Sequence, residues 1–430
     1  MYIVNKNVGP DGFTRAAVLA GSTATDADVI GSWVVAQKND NFELNFFFNQ
    51  LSDITMLRST SIESRDSQLK LHSKVLLVFR SLIPNSSLTT QYCHGLRSAM
   101  VVTDFKDPHA SLYDTDNEDT VITLADWYHT VTPSTGAIPT SDATLINGRG
   151  RYAGRPTVPL SVINVEAWKK YRFRLVSVVC DPNYVFSIDS HTMTVVEVDS
   201  VNHGSYEVDS IRIFSGQRYS FVLNANQPVD NYWIWANPNV GTPGFINGIN
   251  SAILCYKDAP AADPTSTQPP NSNPLVESSL VPHSIAGLGA GSGTPGVAIN
   301  LAVAFDVSQF RFTTNGAYFH LPNSEPILLQ TISAGSASGP YPIPLHGHAF
   351  EVVRSAGSSI YNYVNPPRRD VVSLGTPGDN VTTRFRTDNP GPWIMHCGLS
   401  VVFAEDTATI NINDPPGKRL THNLIYPDFN

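Results

Sequence analysis

The sequence predicts an all-β protein, and three observations predict it. Short segments of alternating apolar and polar residues recur from one end to the other. Turn-forming residues are plentiful, with 29 glycines and 31 prolines spread along 430 residues. No segment carries an amphipathic helical repeat longer than two or three turns. A chain of this length is too long for one small core, so two or three domains of sandwich or barrel type are expected.

In chain order, Asn41–Phe46 alternates as a half-buried strand, and so do Tyr171–Val176, Val195–Val198, Tyr219–Leu223 and Thr407–Ile412. Turn signals at Asn147-Gly148 and Pro377–Asn380 punctuate them. Two stretches read as linkers. Asp107–Asp119 is polar and turn-rich, and Ala259–Asn273 is dominated by Pro, Ala, Ser and Thr, too poor in large apolar groups to fold alone. They divide the chain into domains at 1–109, 110–274 and 275–430, with the second linker closing the middle one.

The formal net charge is −9, and Lys and Arg are scattered singly, so no basic patch offers itself to nucleic acid. No apolar run is long enough to span a bilayer, which excludes a membrane helix. Met1–Lys6 lacks the apolar stretch of a secretory signal. Either a leader has been removed, or the sequence starts downstream of one, or the protein is not exported. Two glycosylation triplets, Asn85-Ser86-Ser87 and Asn380-Val381-Thr382, matter only in an exported protein. The four cysteines, Cys93, Cys180, Cys255 and Cys397, are too widely spaced for a zinc ribbon or a redox pair. One disulfide and two free thiols is the default for an exported chain, and the spacing leaves the pairing open.

Two stretches concentrate metal-binding side chains. In Leu345–Phe350, His346 and His348 stand two apart, and on a strand both would share a face and could meet one ion. In Gly391–Cys397, His396 and Cys397 are adjacent, so a strand would point them to opposite faces and let them bridge two centres. Thiolate with imidazole favours copper or zinc. The plain alternatives are an incidental His-x-His and a buried cysteine acting as a small hydrophobe.

Longer runs settle the context. They are Pro10–Ala16, Thr90–Cys93 followed by Gly95–Arg97, Leu124–His129, Phe186–Asp189, Gly216–Phe221, Asp230–Ile234, His346–Gly357 and Val402–Asp406. Together these runs resemble the fungal laccases, multicopper oxidases, along nearly the whole chain. The resemblance implies three cupredoxin-like Greek-key β-sandwich or barrel domains. It implies a secreted monomer with four coppers that oxidises a small phenol or aromatic amine by one electron. Electrons would pass from a blue copper along a Cys-His step to a three-copper cluster that reduces dioxygen to water.

Four His-rich motifs supply the copper ligands in that family, and each is eroded here. After Thr60-Ser61-Ile62 the first motif is replaced by Glu63-Ser64-Arg65-Asp66, and the second by Asn85-Ser86-Ser87, so the first domain is truncated around 63–87. The third reads Tyr341-Pro342-Ile343-Pro344-Leu345-His346-Gly347-His348: Tyr341 stands for a blue-copper imidazole, Pro344 for a cluster ligand, and His348 for a residue that is not a ligand. In the fourth, His396-Cys397 runs straight into Gly398-Leu399-Ser400, so the third domain is shortened before 341 and after 397. The surviving metal ligands by resemblance are His346, His396 and Cys397.

The substrate side is better preserved. Asp181 resembles the carboxylate that takes the phenolic proton, and Asn250 resembles a polar residue of the phenol pocket. A turn-forming Asp before Pro182 is the plain alternative for Asp181. The resemblance also pairs Cys93 with Cys180 in a disulfide between the first two domains. Three readings follow: an active enzyme with a rebuilt site, a degenerate member retaining a phenol-binding cleft, or the product of a defective gene model.

Overall fold

A computed structural model of the chain describes residues 2–31, 33–37, 47–49, 77–78, 93–130, 140–154, 158–180, 183–266, 268, 270–284, 293–306, 311–317, 342–376, 378–389, 391–396 and 400–405. These residues form two compact units, one holding those up to Val276 and the other those from Glu277 onward. The expected strands at Asn41–Phe46 and Thr407–Ile412 lie outside the described residues. Among the described residues, the helical elements are 3-10 turns of three residues, such as Glu118–Thr120 and Ile246–Gly248. The all-β expectation holds.

The first unit begins with a hairpin of β1 (Tyr2–Val8) and β2 (Arg15–Gly21), paired without a slip from Tyr2 and Gly21 to Val8 and Arg15. With β3 (Val34–Gln37), β4 (Phe47–Asn49), β5 (Leu77–Val78) and β6 (Ala99–Thr103) it makes two three-stranded sheets, ordered β2-β1-β4 and β3-β6-β5.

A larger sandwich follows. Its strands are β7 (Val121–Trp127), β8 (Ala143–Ile146), β9 (Val162–Val165), β10 (Lys170–Ser177), β11 (Asn183–Ile188), β12 (Met193–Val198), β13 (Val201–Val208), β14 (Ser210–Phe214), β15 (Arg218–Asn224), β16 (Asn231–Pro238) and β17 (Ser251–Tyr256). One sheet has the order β13-β12-β15-β10-β7-β8 and the other β14-β11-β16-β17-β9. Phe221 of β15 lies 5.7 Å from Phe173 and 6.0 Å from Phe186 of the other sheet, ring to ring, and so fills the space between them. Asn147 and Gly148 both take positive φ, 48° and 75°, as a tight turn after β8 requires.

Two expectations need correction. Tyr171–Val176 is indeed strand, yet it is buried on both faces, as Val195–Val198 and Tyr219–Leu223 also are. Its arginines do not face water. Arg172 pairs with Asp107 at 2.6 Å and with Glu197, and Arg174 pairs with Asp116 at 2.6 Å. The acidic stretch read as a linker therefore lies on the sheet and neutralises it. Charges removed from water need such partners. The second stretch is likewise laid along a sheet: Asn231 Nδ2 donates to Pro260 O and Ala262 O, Asp263 pairs with Arg151 at 2.6 Å, and Ser266 donates to Asp189. Polar contacts order a segment that apolar burial could not.

One core joins the first strands to the sandwich. Val4, Leu19, Ala99, Val101, Trp127, Leu145 and Val176 pack together, with Cys93 and Cys180 against them.

In the second unit β18 (Val303–Asp306) and β19 (Arg311–Thr314) form a hairpin. β20 (Pro342–Pro344), β21 (Phe350–Arg354), β22 (Arg368–Arg369), β23 (Val371–Ser373) and β24 (Thr382–Arg384) pair as β20-β23 and β22-β21-β24. β25 (Gly391–His396) and β26 (Ser400–Glu405) pair from Gly391 and Glu405 to His396 and Ser400. Leu345, Phe350, Val352 and Val372 form its principal core among the described residues.

Candidate metal centre

The strand ends at Pro344, and His346 and Gly347 form a turn. Gly347 has φ +78°, and a Cβ there would stand 2.3 Å from the Trp393 ring, so only glycine fits. The Asn389 amide donates to Gly347 O, and Trp393 Nε1 donates to Asn389 O at 2.6 Å. The His346 N–H donates to Ile394 O at 3.0 Å, which lays the turn along β25. His346 is thereby carried to His396. Their Nε2 atoms are 2.8 Å apart, with ring centroids at 5.0 Å and planes inclined by 21°.

The expectation that His346 and His348 share a strand face is overturned, because a turn replaces the strand. His348 goes elsewhere. Its Nε2 lies 2.8 Å from Glu405 Oε1, both side chains being buried, in an alignment that is not a hydrogen bond. Burial pushes the Glu405 carboxyl up to about 7, and burial lowers His348, so both shifts favour neutral forms. Sequence reasoning passed over Glu405. The only signal for it was its place between the apolar run Val401–Ala404 and Asp406.

Two imidazole nitrogens at this separation can share one proton or offer two donors to one ion. A blue-copper site needs two imidazoles and a thiolate, and a three-copper cluster needs many more. Among the described residues no three His, Cys, Asp or Glu side chains converge. Tyr341 and Cys397 lie outside the described residues, as do Glu63–Asp66 and Asn85–Ser87. Pro344, buried in β20, has no donor atom on its side chain. The described donors do not fit the four-copper set.

On the substrate side Asp181 lies outside the described residues. Asn250 is buried, with φ +56°. Its Nδ2 donates to Thr242 O and Gly244 O, each at 2.8 Å, and its Oδ1 accepts from Thr144 Oγ1 at 2.6 Å. One lone pair of Oδ1 remains. Asn250 lines a small pocket with Asp142, Tyr152, Pro238 and Ile249. Cys93 and Cys180 are disulfide-bonded, with Cα atoms 5.8 Å apart, and the Cys180 N–H donates to Asp126 Oδ2 at 2.8 Å. Cys255 is a free thiol on β17.

Family models described as multicopper oxidase match residues 118–259 and 299–415. A laccase of Pleurotus ostreatus is 50% identical, across 96% of this chain and 89% of its own. A laccase of Trametes villosa is 46% identical across 97% and 92%. The crystal structure of a laccase from Botrytis aclada superposes with a TM-score of 0.72 at 25% identity, covering 96% of this chain and 88% of that one. The chain belongs to the multicopper oxidases and, within them, to the fungal laccases. Copper is the cofactor that this family implies.

Proposed function

We propose that this chain keeps the laccase body and lacks the copper-dependent oxidation of phenols by dioxygen. The donor set carries the reading: His346 and His396 are the only imidazoles that meet among the described residues, and the neighbouring motif positions hold Tyr341, Pro344 and Gly398. One thiolate, Cys397, without two imidazoles cannot hold a blue copper against solvent. What the chain retains is a phenol-binding cleft. There Asp181 would accept a phenolic hydrogen bond, and Asn250 would shape the wall through its contacts with Thr144 and Thr242. The Cys93–Cys180 bond supports export to an oxidising compartment, as for a secreted monomer.

Metal analysis of the purified chain with its absorption spectrum tests this. The expected outcome is well under one copper per chain, with no intense thiolate–copper band near roughly 600 nm and no oxygen uptake with a phenol under air. About four coppers with that band, together with oxygen uptake, would restore the active enzyme. A second reading, that short stretches were lost at each motif through faulty exon joining, is supported by an alignment of 480 positions to the Pleurotus relative for a chain of 430 residues. The exon structure of the gene decides it.

A further inference from the structure

Seven arginines are buried among the described residues: Arg15, Arg97, Arg151, Arg172, Arg174, Arg218 and Arg369. Six pair with a carboxylate, Asp126, Asp263, Asp107 with Glu197, Asp116, Asp199 and Glu277 in turn. Arg15 is the exception. Its hydrogen bonds go to carbonyl oxygens, from Nε to Tyr128 O at 2.5 Å and from Nη1 to Ala16 O at 2.8 Å and His94 O at 3.4 Å. The acids around it are engaged elsewhere. Asp126 is held by Arg97, while Asp11 and Asp142 are held by His129.

Three polar atoms at this place are buried without a hydrogen-bond partner among the described residues: Arg15 Nη2, Trp127 Nε1 and His94 Nε2. Arg15 and Trp127 belong to one contact. The guanidinium lies 3.7 Å above the Trp127 ring, and His94 is the residue whose carbonyl it holds. Burial, and then the fields of Arg15 and Arg97, bring the His94 imidazole down to about 4, so His94 adds no second charge near neutral pH. Stacking on an indole returns only part of the cost of burying a guanidinium. A buried guanidinium that the fields of Asp11 and Asp142 reach but no carboxylate touches, together with two N–H groups without acceptors, calls for one ligand.

We propose that Arg15, walled by Trp127 and His94, binds a small halide-class anion inside the first unit. The anion sets a negative charge in direct contact with the guanidinium and accepts from Arg15 Nη2. It occupies the role that a carboxylate plays for each of the other six arginines.

Thermal melts of the full chain at fixed ionic strength, with sodium chloride replacing sodium gluconate, test this. Gluconate is too bulky for so buried a place. The expected result is a saturable rise in Tm of about 2–4 °C with chloride. His94→Asp sets a carboxylate beside the guanidinium, so this variant should melt higher in gluconate and lose the chloride response. Equal Tm in both salts, or an undiminished chloride response in His94→Asp, overturns the proposal; a buried water alone would give that result. A substitution beside the disulfide can fail to fold, so the unchanged chain provides the second measurement. Bromide diffused into its crystals should give an anomalous peak beside Arg15 Nη2, and bromide-loaded crystals without that peak reject the site.

Discussion

Asp126 shows how much one buried carboxylate can hold. Its Oδ1 pairs with Arg97 Nη1 at 2.9 Å with both side chains wholly buried, while Oδ2 accepts from Tyr128 Oη and from the Cys180 N–H, each at 2.8 Å. Removing it would strand a guanidinium in the core. Asp126→Ala is therefore expected to cost about 3–5 kcal/mol, the usual penalty for breaking a buried ion pair from one side. The surface pair of Lys169 and Glu166 lies in the range of exposed pairs, where little is gained. Urea unfolding of the variant checks the difference, and a midpoint within error of the parent's would show that Asp126 is not a central tie. Nothing in the sequence marked this role. Asp126 sits in the Leu124–His129 run, where the resemblance located it without saying what it touches. Arg172 and Arg174 were misread for a related reason: alternation shows which residues are polar, and cannot show that an acidic segment will cover them.

At the scale of elements, strand identity was legible wherever alternation was clean, as in Tyr219–Leu223 inside β15. The metal turn was not. The His-x-His spacing reads as one face only on a strand, and Gly347, forced to positive φ beneath Trp393, converts the step into a turn that parts the two rings. That close approach is a tertiary fact. The disulfide was legible through resemblance alone, and its consequence is an element-level prediction. Cys93 and Cys180 are separated by 87 residues and tie the first strands to the sandwich across a shared core. Closing so long a loop restricts the unfolded chain, worth about 4–5 kcal/mol on the loop-entropy relation. Replacing both cysteines with serine should lower the melting temperature without altering the β-sheet circular dichroism at low temperature. An unchanged melting temperature would mean that the core alone fixes this junction.

At the scale of the whole molecule the two units differ in the core that their described residues carry. The first carries six- and five-stranded sheets with Trp127, Phe173, Tyr184, Phe186, Phe221 and Tyr256 all fully buried. The described part of the second has sheets of two or three strands, and its principal core is Leu345, Phe350, Val352 and Val372. Fully burying a side chain of this kind contributes roughly 1.5–3 kcal/mol, so losing strand residues beside a core removes stability that the entropy of ordering the chain leaves little room to lose. The erosion read from the third and fourth motifs falls in this same unit, at Tyr341–Pro344 and after Cys397. Unfolding is therefore expected in two calorimetric steps, the lower one belonging to the residues from Glu277 onward. Brief proteolysis between the two steps should leave a resistant fragment that ends near Val276 and still contains the Cys93–Cys180 bond. Trp393, the one tryptophan of the second unit, supplies an independent probe. A Trp393→Phe variant should lose fluorescence change from the first step and keep it in the second. One transition, with calorimetric and van't Hoff enthalpies equal, would instead make the chain a single cooperative body.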